Sequence, residues 1–271
     1  MNESFSGQEP RAPLAPHTSE PVPTPQTVRV ALPAMVPMAT YIILGFTVFV
    51  YLMQMASVAV FGYASNASQI DWLEVYGARF NTAIRMGEVW RFIIPAFLHA
   101  SVPHIFFNMY ALLSIGSFLE RHFGHKRFVL LYFLGAFSGN VFSFLLTGEN
   151  GYSVGASTAI FGLIAAQVVF FYQNRKLFGG QAKQAITNTA FIIAVNLLIS
   201  LAPGIDGWGH VGGLLGGAMF AWFASPHWEV VGTSFSGFKL EDQREFREIV
   251  LGTGLVIIVF GALAAWAMFL K

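Results

Sequence analysis

Apolar residues in this chain run in long blocks. Seven stretches are nearly free of charge: approximately 38–62, 103–120, 127–147, 155–173, 187–202, 208–225 and 249–270. A helix needs roughly 20 mainly apolar residues to cross a bilayer. Lipid offers no partners to backbone N–H and C=O groups, so each block is expected to satisfy its own as a helix. The fifth and sixth blocks are short, and Pro203 and Gly204 between them predict two helices, not one. The pattern predicts an all-α membrane protein with seven transmembrane helices.

The residues between the blocks divide the chain further. Residues 1–36 are polar, and eight of the twelve prolines lie within 10–37. Such a segment buries too little apolar surface to offset its ordering entropy, so it reads as a disordered tail. It also lacks the apolar run of a secretory signal near Met1. Residues 37–225 form the expected core of six helices. Residues 226–248 are mixed in charge and read as a surface-lying connector, and 249–271 hold the seventh helix. The first loop, 63–102, carries Trp72, Trp90 and Phe97 among scattered charges. It is expected to be an amphipathic segment at the membrane interface, where aromatic rings prefer to sit.

Charge supplies the orientation. Arg121, Lys126 and Arg127 follow the second block, Arg175, Lys176 and Lys183 the fourth, and Lys239, Arg244 and Arg247 the sixth. The opposite loops, 148–154 and 203–207, have no Lys or Arg, although the long first loop carries Arg79, Arg85 and Arg91. The positive-inside rule then places the N-terminus in the cytoplasm and Lys271 outside. Composition narrows the function. With 55% hydrophobic and 11% charged residues the main solvent is lipid, and a net charge of +1 without a basic stripe speaks against nucleic acid. Cysteine is absent, so disulfides, thiolate metal sites and cysteine nucleophiles are excluded.

In this orientation Ser157, His210, His104 and Asn108 all begin helices that descend from the outside. Four polar groups on three helices therefore share one depth, and polar residues inside a membrane point to function. Each residue alone has a plainer reading, as a packing serine or a satisfied buried histidine. Spacing adds to the case. Gly155, Ala159, Gly162 and Ala166 form a small-residue face, and His210, Gly213, Gly217 and Ala221 form another. Two such faces in contact bring Ser157 within reach of His210. The pair then reads as nucleophile and general base. Asp206 lies on the loop side of the sixth helix, so a dyad is favoured over a triad.

His104 and Asn108, spaced i, i+4, are read as donors to a developing oxyanion, joined by the Ser157 backbone N–H. His99 is read as a brace for the loop. Two histidines and an amide raise the question of a metal. No carboxylate or thiolate stands at matching depth, however, so neither metal nor other cofactor is expected.

These residues resemble the motifs of rhomboid intramembrane proteases. Gly87-Glu88-Val89-Trp90-Arg91, His99-Ala100-Ser101, His104 and Asn108, with Gly116, Glu120 and Gly124, match the first loop and second helix. Gly155-Ala156-Ser157 with Ala159-Ile160-Phe161-Gly162 resembles the nucleophile motif, and His210-Val211-Gly212-Gly213 with Gly217 the base motif. The likeness covers about 38–225. It implies a rhomboid-like six-helix bundle with one added C-terminal helix, a six-plus-one arrangement. It also implies a serine endopeptidase that cleaves transmembrane segments of membrane-protein substrates near their extracytoplasmic end. Ser157 would be the nucleophile, His210 the base, and His104, Asn108 and the Ser157 amide the oxyanion hole. Trp90-Arg91 would sit in a partly embedded external loop, and the fifth helix with the loop near 203–209 would be a gate. Thr158 stands where many members carry glycine, which bears on fine substrate preference.

The membrane that fits best is a bacterial inner membrane. Two rival readings are a catalytically silent relative that binds membrane helices, and a proton relay through His99, His104 and His210. A relay would spread polar groups over the full depth and often show an inverted repeat.

Overall fold

A computed structural model describes residues 35–61, 71–233 and 237–269. Nearly all of the proline-rich segment read as a tail lies outside the described residues. The seven expected helices are present as α1 (Met38–Phe61), α2 (Val102–Phe123), α3 (His125–Leu146), α4 (Ser157–Gln173), α5 (Gly180–Ile199), α6 (Gly207–Ala224) and α7 (Phe246–Phe269). By length and composition α1, α2, α3, α5 and α7 can cross a membrane. The two that fall short, α4 and α6, carry Ser157 and His210. α4 has 17 residues, about 25 Å at 1.5 Å per residue. α6 contains six glycines, which lower its hydropathy. Neither needs to be a self-sufficient span, because both are wrapped by other helices: twelve of the 17 residues of α4 are buried.

The core is a three-helix contact of α3, α4 and α6. A Cβ on Gly135 of α3 would stand 3.2 Å from the Ala159 carbonyl oxygen, and one on Gly162 would stand 3.0 Å from the Gly135 Cα. Cβ atoms on Gly213 and Gly217 would run into the backbone of Thr158 and Gly162. The expected stripe on α4 therefore meets the expected stripe on α6. A third stripe on α3, Gly135 and Gly139, closes the contact from the other side. In lipid this packing replaces the hydrophobic drive that water would supply. Thr158 is part of it. It is 2% exposed, and its methyl lies 2.9 and 3.0 Å from Cβ positions built on Gly139 and Gly209. Its role is to fill the seam between α3 and α6.

The other elements attach to this core. α1 is pinned at its first turn, where the buried Glu120 carboxylate of α2 accepts from the N–H groups of Ala39 (2.8 Å) and Thr40 (2.7 Å). Those N–H groups have no intrahelical partner. α2 contains a π-helical turn at Leu112–Gly116. α5 begins seven residues before the expected block, continuing through polar Gln181, Lys183 and Gln184. It rests mainly on α4, and within it only Ala182 and Thr189 are buried. The connector is a two-stranded hairpin, β3 (Trp228–Thr233) with β4 (Gly237–Asp242). Arg127–Asp242 at 2.6 Å and Arg244 to the Ser225 carbonyl at 2.8 Å tie it to the bundle end far from Ser157.

From residue 71 on, the described part of the first loop folds into short helical turns and one strand. β1 (Arg79–Phe80) pairs antiparallel with β2 (Tyr152–Ser153), just before α4. Trp72 and Trp90 are about half exposed, as an interfacial role requires. Phe97 is different: it packs inward, edge-on to Phe46 with centroids 5.1 Å apart. The three arginines of this loop are consumed inside the structure. Arg91 donates to the Ala78 and Val75 carbonyls and pairs with Glu88. Arg85 donates to the Ala267 carbonyl at 2.6 Å, near the end of α7. Arg79, 1% exposed, donates to Asn81.

The helix contact can be tested with two glycines. Gly217→Ala should lower the melting temperature in detergent, at a cost of about 1–3 kcal/mol for overpacking. Gly254→Ala, where a Cβ meets nothing within 4 Å, should leave it unchanged or slightly raised. Equal melting of the two variants would contradict the close three-helix contact.

Candidate active site

Ser157 is the first residue of α4. Its N–H lies in the first turn, where no intrahelical acceptor exists. The turn before it needs Gly155, whose φ of +129° is rarely adopted by L side chains. A Cβ there would also stand 2.7 Å from His104 Nε2. The turn is braced from the first loop. Gly155 N–H donates to the Pro95 carbonyl (2.9 Å), and Ala156 N–H points at His99 Nε2 (3.4 Å). His99 is held in turn by its own N–H to Gln54 Oε1 (3.0 Å). Burial pushes the His99 ring down to about 3, so it stays neutral and can accept. Its expected role as a brace holds, and what it braces is the turn that carries Ser157.

His210 lies on the first turn of α6 and is 7% exposed. Its Nε2 is 2.9 Å from Ser157 Oγ. The ring stacks on Phe161, with centroids 4.1 Å apart and planes 9° from parallel. Phe161 is four residues after Ser157, so nucleophile and stacking ring stand on one face of α4. Beyond the ring, Nδ1 is 2.6 Å from Ser200 Oγ.

The ring nitrogens of His210 meet Ser200 and Ser157, and Asp206 bonds elsewhere. It caps α6, accepting from Gly209 N–H (2.9 Å), and it accepts from Ser143 Oγ (2.6 Å). Its other oxygen faces Arg79 at 3.6 Å. The acid four residues before the histidine is thus a helix cap that also faces the buried Arg79.

His104 brings its ring against Gly155, beside Ser157. It also meets His99 edge-on, with centroids 5.0 Å apart. Asn108 is buried one turn further along α2 and donates to the His104 carbonyl (3.0 Å). An amide has two N–H groups, so this bond uses one and leaves one. His104, Ser157 and His210 are therefore drawn together, while the Asn108 amide is engaged within its own helix. From sequence, Phe161 is named only within the nucleophile motif, without a role of its own, and Ser200 is not named. The i, i+4 spacing from Ser157 would have pointed to Phe161. Nothing in the spacing of Ser200, alone at the close of an apolar helix, singles it out. Among the described residues no group of three or more His, Asp or Glu is placed to hold a metal ion.

The Rhomboid domain model matches residues 86–227, more than half of the chain. Rhomboid protease GluP of Bacillus subtilis is 38% identical over 153 residues, 56% of this chain and 29% of that protein. Rhomboid-like protease 1 of Toxoplasma gondii is 38% identical over 144 residues, 52% of this chain and 49% of that protein. RHOMBOID-like protein 5 of Arabidopsis thaliana is 30% identical over 212 residues, 74% of this chain and 68% of that protein. The chain thus spans less than half the length of the first two relatives.

Asp206→Ala should destabilise the fold, since it removes a cap and leaves Arg79 buried without its counter-charge. Losing a cap costs about 0.5–2 kcal/mol, and breaking a buried ion pair about 3–5 kcal/mol. Thermal unfolding in detergent should show a lower midpoint than for Ser157→Ala. A wild-type midpoint would remove Asp206 from this supporting role.

Proposed function

The chain belongs to the rhomboid family, and from that premise we propose that it is an intramembrane serine endopeptidase with Ser157 as nucleophile and His210 as base. The observation that carries this reading is the 2.9 Å contact between Ser157 Oγ and His210 Nε2 across two separate helices. Membrane-protein substrates would be cut within a transmembrane segment, near its extracytoplasmic end.

Ser157 Oγ attacks the scissile carbonyl carbon while Nε2 of neutral His210 takes the hydroxyl proton. The new oxyanion is held by the Ser157 N–H, the His104 ring and the free N–H of Asn108. When the intermediate collapses, His210 returns the proton to the leaving amine and an ester remains on Ser157. Water, deprotonated by His210, then hydrolyses the ester. The Phe161 stack keeps the ring edge aligned between the two serines through both halves. No cofactor enters these steps.

The reading extends to topology as a six-helix core plus α7, with the N-terminus cytoplasmic and the site toward the extracytoplasmic side, in a bacterial inner membrane. Two features support it. α4 is shorter than the ~30 Å hydrocarbon core, so Ser157 starts below one surface. The arginines of the first loop, being bound to protein groups, no longer count against the positive-inside assignment. Substrate entry past α5 and the loop 203–209 fits the exposed faces of that helix.

A fluorophosphonate probe should label the wild type in detergent and leave Ser157→Ala and a heat-unfolded control unlabelled. The wild type should also cleave a single-span membrane substrate. Asn108→Ala should slow cleavage by ~10²–10³, the usual cost of one oxyanion donor. Equal labelling of Ser157→Ala would overturn the nucleophile, and a wild-type rate from Asn108→Ala would remove it from the oxyanion hole.

A further inference from the structure

We propose that Ser200, at the end of α5, is a positioning residue that fixes the tautomer of His210. The inference rests on the serine-protease reading above. A general base must present an Nε2 lone pair to Ser157, so its ring proton has to sit on Nδ1. Phe161 stacks on the ring face and cannot hold an edge nitrogen, and Asp206 is occupied by Gly209, Ser143 and Arg79. The polar group at Nδ1 is Ser200 Oγ, 2.6 Å away.

A hydroxyl has one proton to give. Ser200 gives its own to the Asn196 carbonyl, 2.6 Å away in the preceding helical turn. Its oxygen is then an acceptor toward His210, and Nδ1 must carry the hydrogen. Were the hydroxyl to turn to Nδ1 instead, the ring proton would move to Nε2 and face Ser157, where the base could not accept. The Asn196 carbonyl therefore decides the direction of the whole chain, from Ser157 O–H to Nε2 and from Nδ1–H to Ser200.

The placement of Ser200 is specific. It is 7% exposed, on a helix that otherwise turns large apolar residues such as Phe191, Leu198 and Ile199 outward. A Cβ on Gly207 would stand 3.0 Å from the Ser200 carbonyl oxygen and 3.4 Å from its Cβ, so the bare glycine admits the close approach. Because Ser200 caps the end of α5 and His210 belongs to α6, the bond exists only while the end of α5 lies against α6. The base is thereby set by the position of the most loosely held helix of the core.

Ser200→Ala and Ser200→Thr would be compared with the wild type in detergent, using the same single-span substrate and protein with ¹⁵N-labelled histidine. Ser200→Ala should lower kcat about 10- to 100-fold, the scale of one lost buried hydrogen bond, with KM unchanged. Its His210 nitrogen shifts should move from the Nδ1–H form to a mixture of tautomers. Ser200→Thr keeps the hydroxyl and should recover most of the rate and the Nδ1–H signature. A wild-type kcat in Ser200→Ala, or an unchanged Nδ1–H signature, would overturn this role and leave the protease reading standing. A folded wild type with no Ser157-dependent cleavage would overturn both.

Discussion

The contact on which the rest depends is the backbone-to-backbone approach of α3, α4 and α6. Glycines 135, 139, 162, 213 and 217 put no side chain of their own into the seam, and a Cβ at any of them would stand within 3.2 Å of the neighbouring helix. Dispersion at such short range is strong, and it is the main source of helix association where lipid replaces water. The seam also fixes geometry. Ser157 and His210 each begin a helix at the same end of it, so the close approach sets their separation. Loosening the seam by one methyl would move the base away from the nucleophile as well as weaken the bundle.

The polar residues at this end form a second layer that serves the seam. β1 pairs with β2, Asn140 of α3 donates to the Phe92 carbonyl, and Asp206 joins the cap of α6 to Ser143 of α3 and to Arg79. The outcome is that loop backbone groups find protein partners near lipid, where unsatisfied ones are costly. The same layer holds the Gly155–Ala156 turn and thus aims Ser157. Three arginines in the first loop, when the loops 148–154 and 203–207 have no Lys or Arg, look anomalous as topology signals. They are structural donors, and Arg85 carries the network on to α7.

Much of this was legible beforehand, for physical reasons. Seven helices follow from apolar block length, because lipid allows almost no other backbone solution. Ser157, His210, His104 and Asn108 stand out because polar groups in apolar blocks are costly. The stripes on α4 and α6 could be paired because both follow helical spacing. The ends of elements were less legible: α5 extends into polar sequence, and the connector is a hairpin, since neither choice is dictated by hydrophobicity. Thr158 read as a matter of substrate preference and is a packing residue.

The sequence by itself determined which residues are candidates and on which helices they stand. Periodicity and hydropathy are local properties, and every helix carries its own. Tertiary structure decided the partners. That Phe161 stacks on His210, that Asp206 turns to Arg79, and that α3 supplies the third glycine face are contacts between elements far apart in the chain, and that Ser200 reaches Nδ1 joins two neighbouring helices. Each depends on relative rotation and offset of packed helices to within about an ångström, and no local pattern encodes that quantity.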